Sequence, residues 1–236
     1  DAYGVTVSTI HGFCQSIIAN HPSVFEEWSA KEQIGDMEKY QELNNIIDDL
    51  VGSSKLLNPK DPYGRDADIL SRISQLKREG KTVDDLKKVL KEFEGQMHEK
   101  NERARTDSGR KKNLLAVEKF ADFIEIFKRY QEMLTRKGRY DYDDMILFAL
   151  RALQENDWLL AGLQERYQYI LVDEAQDTNG AQWKVIETLT TLALDHEPNL
   201  FVVGDDDQAI YRFQGANLRN MLSFHERFPK APVIPL

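Results

Sequence analysis

The chain runs to 236 residues with a formal net charge of −9 and 41% hydrophobic residues, which can bury one substantial core or two smaller ones and exclude a disordered chain. Its apolar runs are too short to span a bilayer, and the opening DAYGVTVSTI lacks the basic and apolar regions of a signal peptide. One cysteine, Cys14, and five scattered histidines exclude an internal disulfide framework and a Cys/His zinc site, so a cytoplasmic setting is the default expectation.

In chain order, Val5 and Val7 alternate as a strand, and the pattern then turns into a helix carrying Phe13, Ile17 and Ile18 on one side, with Cys14 a small buried hydrophobe. From about Pro22 to Gly138 the periodicity predicts an all-helical block without strands. Leu43, Ile46, Ile47 and Leu50 keep helical spacing, as do Leu70, Ile73 and Leu76, then Val83, Leu86, Val89, Leu90 and Phe93. A long helix follows from Leu114 to Leu134, with NPKDPYG and RTDSGRKKN as loops. The stretch from Lys77 to Lys112 holds twelve Lys/Arg against eight Asp/Glu, so it carries +4 and the remainder −13. It reads either as a solvated helical surface or as an arm that faces duplex nucleic acid.

After Gly138 the pattern becomes α/β. Asp141 is the expected N-cap of the helix in YDYDDMILFALRAL, Ile170 to Val172 a strand, Gln182 to Leu192 a helix, Leu200 to Val203 a second strand and APVIPL a third. With the opening strand, this predicts one parallel α/β domain built from the two ends of the sequence, residues 1–23 and 139–236, interrupted by a helical insertion over 24–138.

Two acidic clusters fall just beyond the C-terminal ends of predicted parallel strands, where open α/β sheets bind ligands. In ILVDEAQDTNGAQW, Asp173 suits a hard cation such as Mg²⁺, and Glu174 suits activation of the water that attacks a terminal phosphate. In FVVGDDDQAIYRFQGAN, which opens its cluster with Asp205, Gln208 is a neutral donor suited to that phosphate. Acids after a strand also commonly just cap the next helix, and Tyr211–Arg212–Phe213 could equally be packing. The string Gly80-Lys81-Thr82 is not a phosphate-binding loop: Gln75 stands where glycine is needed, and a helical pattern precedes it. Thr82 reads as an N-cap, with Asp85 three residues on.

ILVDEAQDTNGAQW resembles motif II, and FVVGDDDQAIYRFQGAN motif III, of the UvrD/Rep/PcrA-like superfamily 1 DNA helicases; VSTIHGFC is similar to their Thr-x-His segment and YDYDDMI to their short acidic motif. The resemblance covers essentially the whole chain. It implies a P-loop NTPase (RecA-like) α/β domain, with ATP and Mg²⁺ as cofactors and single-stranded DNA and ss/ds junctions as partners. Asp173 is implied as the magnesium ligand and Glu174 as catalytic base, with Gln208 beside them. Gln176 and Gln208 match glutamines that link nucleotide state to the DNA track, and Asp205 joins them as a nucleotide-binding candidate. Thr9, His11, Tyr211, Arg212 and Phe213 match positions along the DNA, where aromatic faces stack on any base. Gln214 departs from the family, in which many members place Arg there.

The same resemblance places the P-loop before residue 1 and the second RecA-like domain, with its arginine finger, after residue 236. The expectation is therefore a piece of an ATP-dependent 3′ to 5′ DNA helicase, of the kind used in DNA repair, inactive as an ATPase by itself. The alternatives are the motor part of a RecB/AddA-like helicase–nuclease and a DNA-binding or interaction module that does not hydrolyse ATP.

Overall fold

A computed structural model describes residues 4–103, 106–190, 199–205, 224, 228 and 231–234, so Gln208, Tyr211, Arg212, Phe213 and Gln214 lie outside the described residues. The chain divides into two compact units, one of Asp1–Ser29, Arg78–Gly80 and Asp143–Leu236, the other of Ala30–Lys77 and Lys81–Tyr142. Among the described residues no helix is long and apolar enough to cross a membrane.

In the first unit, α1 (Ile10–Asn20), the short α2 (Glu26–Ser29), α7 (Asp144–Glu155), α8 (Asp157–Arg166) and α9 (Gly180–Thr190) accompany two strands, β3 (Ile170–Val172) and β4 (Leu200–Val202). Helix α7 packs against α1, α8 and α9 because its apolar residues Met145, Ile146, Ala149, Leu150 and Leu153 recur at helical spacing and are buried. Cys14 and Ile17 of α1 are buried, and burial pushes the Cys14 thiol up to about 12, as befits a small hydrophobe. The strands pair in parallel with Ile170 opposite Leu200 and Val172 opposite Val202. Those four residues pack with Ala175, Trp183 and Ile186, while Leu171 and Phe201 face outward.

Two expected strands are not found among the described residues. Val5 and Val7 join no ladder, and both are exposed. Val233 and Ile234 are likewise exposed, outside any strand. Alternation marks a segment that can be pleated; only a hydrogen-bonded neighbour makes it a strand.

The second unit is built from α3 (Asp36–Leu50), α4 (Asp66–Arg78, whose last residue belongs to the first unit), α5 (Val83–Arg103) and α6 (Asp107–Arg136). Leu43, Ile47, Ile73, Phe127 and Tyr130 meet in its core, and α5 lies along α6 with Phe93 edge-on to Phe120 at 6.0 Å. NPKDPYG is a loop, as expected. RTDSGRKKN is not: α6 starts inside it because Thr106 accepts the Gly109 N–H at 3.2 Å, an N-cap that satisfies one of the helix's orphan donors. Nor is the block free of strands. β1 (Glu32–Gln33) pairs in parallel with β2 (Arg139–Tyr140), a two-residue link with no apolar alternation to announce it, reinforced by Arg139 bonding both Glu32 and Glu38.

Helix α4 ends as its sequence requires. Gly80 takes a left-handed φ of +62°, and the Lys81 N–H returns to the Leu76 carbonyl at 2.8 Å, closing a Schellman turn. Thr82 and Asp85 then exchange capping bonds, Asp85 N–H to Thr82 Oγ1 at 3.2 Å and Thr82 N–H to Asp85 Oδ2 at 3.0 Å. The Gly-Lys-Thr string thus ends one helix and starts the next.

Asp141 does not cap α7. Its carboxylate is held at 2.5 Å by Lys77, whose side chain is 0% exposed and sits over the Tyr130 ring at 5.5 Å. An ammonium buried without a carboxylate costs more than a missing cap, so the acid goes to the lysine and the helix starts after Asp143. Removing one partner should therefore be far worse than removing both. Lys77→Met is expected to lower unfolding stability by about 3–5 kcal/mol, and Lys77→Met with Asp141→Leu to recover most of it, both measured by denaturant unfolding.

Candidate functional site

The sheet register sets the positions of the acids. Beyond the strands the Val203 N–H donates to the Val172 carbonyl at 2.8 Å and the Ala175 N–H to the Val203 carbonyl at 2.9 Å, so the turns after β3 and β4 leave the sheet side by side. Asp173 and Glu174 occupy the first turn and are exposed; Asp205 lies in the second.

Glu174 has φ 49° and ψ 46°, the left-handed region that a non-glycine residue enters at a cost of about 1–2 kcal/mol. Its N–H donates to Asp173 Oδ1 at 3.0 Å, its carbonyl accepts the Asp177 N–H at 2.9 Å, and its carboxylate accepts Gln176 Nε2 at 2.5 Å. Gln176 is 1% exposed, and its Oε1 accepts the Asp205 N–H at 3.0 Å. A backbone N–H can only donate, so the amide oxygen must face Asp205 and the NH₂ must face Glu174. The Gln176 side chain thus joins the two acidic turns, and it is these protein groups that use its amide.

The turn continues through a single 3₁₀ turn, Ala175–Asp177, and Thr178, whose hydroxyl donates to the Ala175 carbonyl at 2.6 Å. Asn179 and Gln182 then form a reciprocal capping box at 3.0 Å in each direction, fixing the start of α9. The acids are therefore not the caps of the following helix. An Asn followed three residues later by Gln is the sequence signal of this box.

Among the described residues no three His, Cys, Asp or Glu side chains gather for a metal. Mg²⁺ asks for less: it is commonly held by one or two carboxylates together with substrate phosphates, and exposed Asp173 beside Glu174 fits that donor set.

Thr9 and His11 lie at the start of α1. Thr9 is exposed and caps the helix, accepting the Gly12 N–H at 3.1 Å. His11 is partly buried, near an ion pair in which Arg78 Nε meets Asp143 Oδ1 at 3.1 Å. Burial pulls the His11 pKa below its ordinary value; the Asp143 charge opposes this and the Arg78 charge adds to it.

Two adjacent parallel strands thus end in acidic turns linked by one buried amide, and the capped helix that carries His11 lies in the same unit. The chain matches the UvrD/REP helicase N-terminal domain over residues 1–229 and belongs to that family. Among its relatives, the ATP-dependent DNA helicase PcrA of Staphylococcus epidermidis is 30% identical over 243 residues, covering 99% of this chain and 27% of that protein. The proteins of the same name from Leuconostoc citreum and Bacillus subtilis are 39% identical over 112 residues, 48% of this chain and 14% and 15% of theirs. The chain thus spans about a quarter of the length of the relatives that match it throughout.

The His11 shift has a direction in pH. Between the lowered folded value and the ordinary 6.5 the unfolded chain binds more protons, so this component of stability rises with pH. It is lost progressively below the ordinary value. His11→Gln should therefore narrow the difference in melting temperature between about pH 5.5 and about pH 7.5. An unchanged difference would show that His11 is not desolvated in the folded chain.

Proposed function

We propose that this chain supplies the ATP-hydrolysing acids and part of the single-strand track of an ATP-dependent DNA helicase moving 3′ to 5′ on single-stranded DNA. In this reading it is a RecA-like, P-loop NTPase domain, residues 1–23 and 139–236, carrying a helical insertion over 24–138, and it works within a longer protein. The observation that carries the reading is the Gln176 bridge, which ties the Glu174 carboxylate to the backbone of the second acidic turn.

Asp173 would hold Mg²⁺, which when bound neutralises charge on the transferring phosphoryl group. The Glu174 carboxylate accepts a proton from the attacking water; the residue is exposed, and one of its carboxylate oxygens is held by Gln176. Asp205, in the second turn, and Gln208 would contact the nucleotide, and a shift of Asp205 would reach Glu174 through Gln176. Tyr211 and Phe213 stack on bases beside Arg212, and Thr9 and His11 meet the DNA backbone. The exposed Lys111 and Lys112 at the start of α6 suit phosphates of a duplex at an ss/ds junction.

The test of the acids uses the intact helicase. Glu174→Gln should keep nucleotide binding and lower DNA-stimulated turnover by about 10²–10⁴-fold, whereas Asp173→Asn should raise the Mg²⁺ concentration required. Normal turnover by Glu174→Gln would refute the base assignment.

For the track, Phe213→Ala should weaken single-strand binding by about 1–3 kcal/mol whatever the base sequence, with the melting temperature unchanged. A large fall in melting temperature with affinity intact would assign Phe213 to packing instead.

A further inference from the structure

Residues Arg78–Gly80 join two stretches of the helical unit yet belong to the unit that holds the acids. Three contacts put them there. Arg78 pairs with Asp143 immediately ahead of α7 at 3.1 Å. Glu79 lies against Gly180, the first residue of α9, so closely that a Cβ on Gly180 would stand 2.7 Å from Glu79 Oε2 and 3.3 Å from Glu79 Cα. Gly80 sits over Ala181 and Lys184, the same face of the first turn of α9; a Cβ there would be 3.9 Å from the Ala181 Cβ and 3.4 Å from Lys184 Nζ. The three residues therefore rest on the N-terminal ends of two helices, α7 and α9, that pack on each other.

From Gly180 back to Glu174 every link is hydrogen-bonded. Asn179 and Gln182 cap each other, Thr178 N–H and Oγ1 both return to Ala175, and the Asp177 N–H returns to Glu174. A chain fixed at each step transmits a displacement at one end to the other. Alanine is a better helix former than glycine, so a glycine opening α9 reads as room kept for Glu79.

We infer that Arg78, Glu79 and Gly80 form a positioning clip for the acidic turn, with the contact of Glu79 on Gly180 as its bearing point. The inference rests on the reading of Glu174 as proton acceptor. The clip touches no reacting atom. It sets where α9 begins, and so where the Glu174 carboxylate stands.

The test is DNA-stimulated ATP hydrolysis by the intact helicase. Gly180→Ala pushes the clip off α9, and kcat at saturating DNA should fall about five-fold or more while KM for ATP stays within about two-fold, because no nucleotide-binding group is removed. Melting temperature should not fall. Glu79→Ala alone, which deletes Oε2 and Cδ and with them the side-chain part of the bearing contact, should lower kcat in the same sense with KM for ATP again within about two-fold. Unchanged kcat in Gly180→Ala or in Glu79→Ala, or a loss matched by a lower melting temperature, would each overturn the clip. Glu174→Gln runs alongside: if it hydrolyses ATP normally, the failure lies in the reading of the acid and not in the clip.

Discussion

Past the ends of β3 and β4 the backbone bonds Val203 to Val172 and Ala175 to Val203 keep the two segments side by side after the sheet has finished. That continuation holds one acidic turn within reach of the other. Without it the buried amide of Gln176 would have no Asp205 N–H to accept, and nothing would fix which of its ends meets Glu174. The left-handed backbone of Glu174 follows from the same constraint: the chain must turn sharply to bring Ala175 back under Val203, and three hydrogen bonds at Glu174 offset the strain.

The helical unit faces a different problem, a charge buried in an apolar core. Lys77 is enclosed among α4, Tyr130 and Asp141, and its ion pair decides where two elements end. It takes Asp141 away from the capping position, and it fixes the last turn of α4 just before the Schellman glycine reverses the chain. One residue on, Arg78 makes the equivalent pair with Asp143 in the other unit. Neighbouring cations thus engage two acids of a single short acidic segment, and the order of both pairs follows the order of the residues.

Much of this was legible wherever one local rule acted alone. Helical spacing locates α3, α4 and α5, the Thr82–Asp85 box is visible as a pattern, and the strands that precede the acids are marked by Ile170 to Val172 and by Leu200 to Val203, the latter ending one residue sooner, at Val202. The misreadings came where a distant partner decided. Asp141 is a good cap in isolation, and only the fold supplies Lys77, 64 positions away. Val5 and Val7 alternate as a strand does, but alternation cannot provide a neighbour. At the site, Asp173 and Glu174 stood out as types in a pattern. The Gln176 bridge depends on a backbone N–H 29 positions on, which no spacing rule encodes.

The two-residue pairing of β1 with β2 joins positions 107 apart, so the two ends of the helical unit lie one strand spacing from each other, about 4.8 Å. Closing a loop costs entropy that grows only with the logarithm of its length, so an insertion with adjacent ends can lengthen, shrink or be exchanged in evolution with little effect on the stability of what surrounds it. The segment at Arg78–Gly80 breaks that freedom. Any replacement must also return three residues to α7 and α9 midway along its length. Descendants of this architecture would therefore vary in the tips of α5 and α6 long before they varied in the turn between α4 and α5.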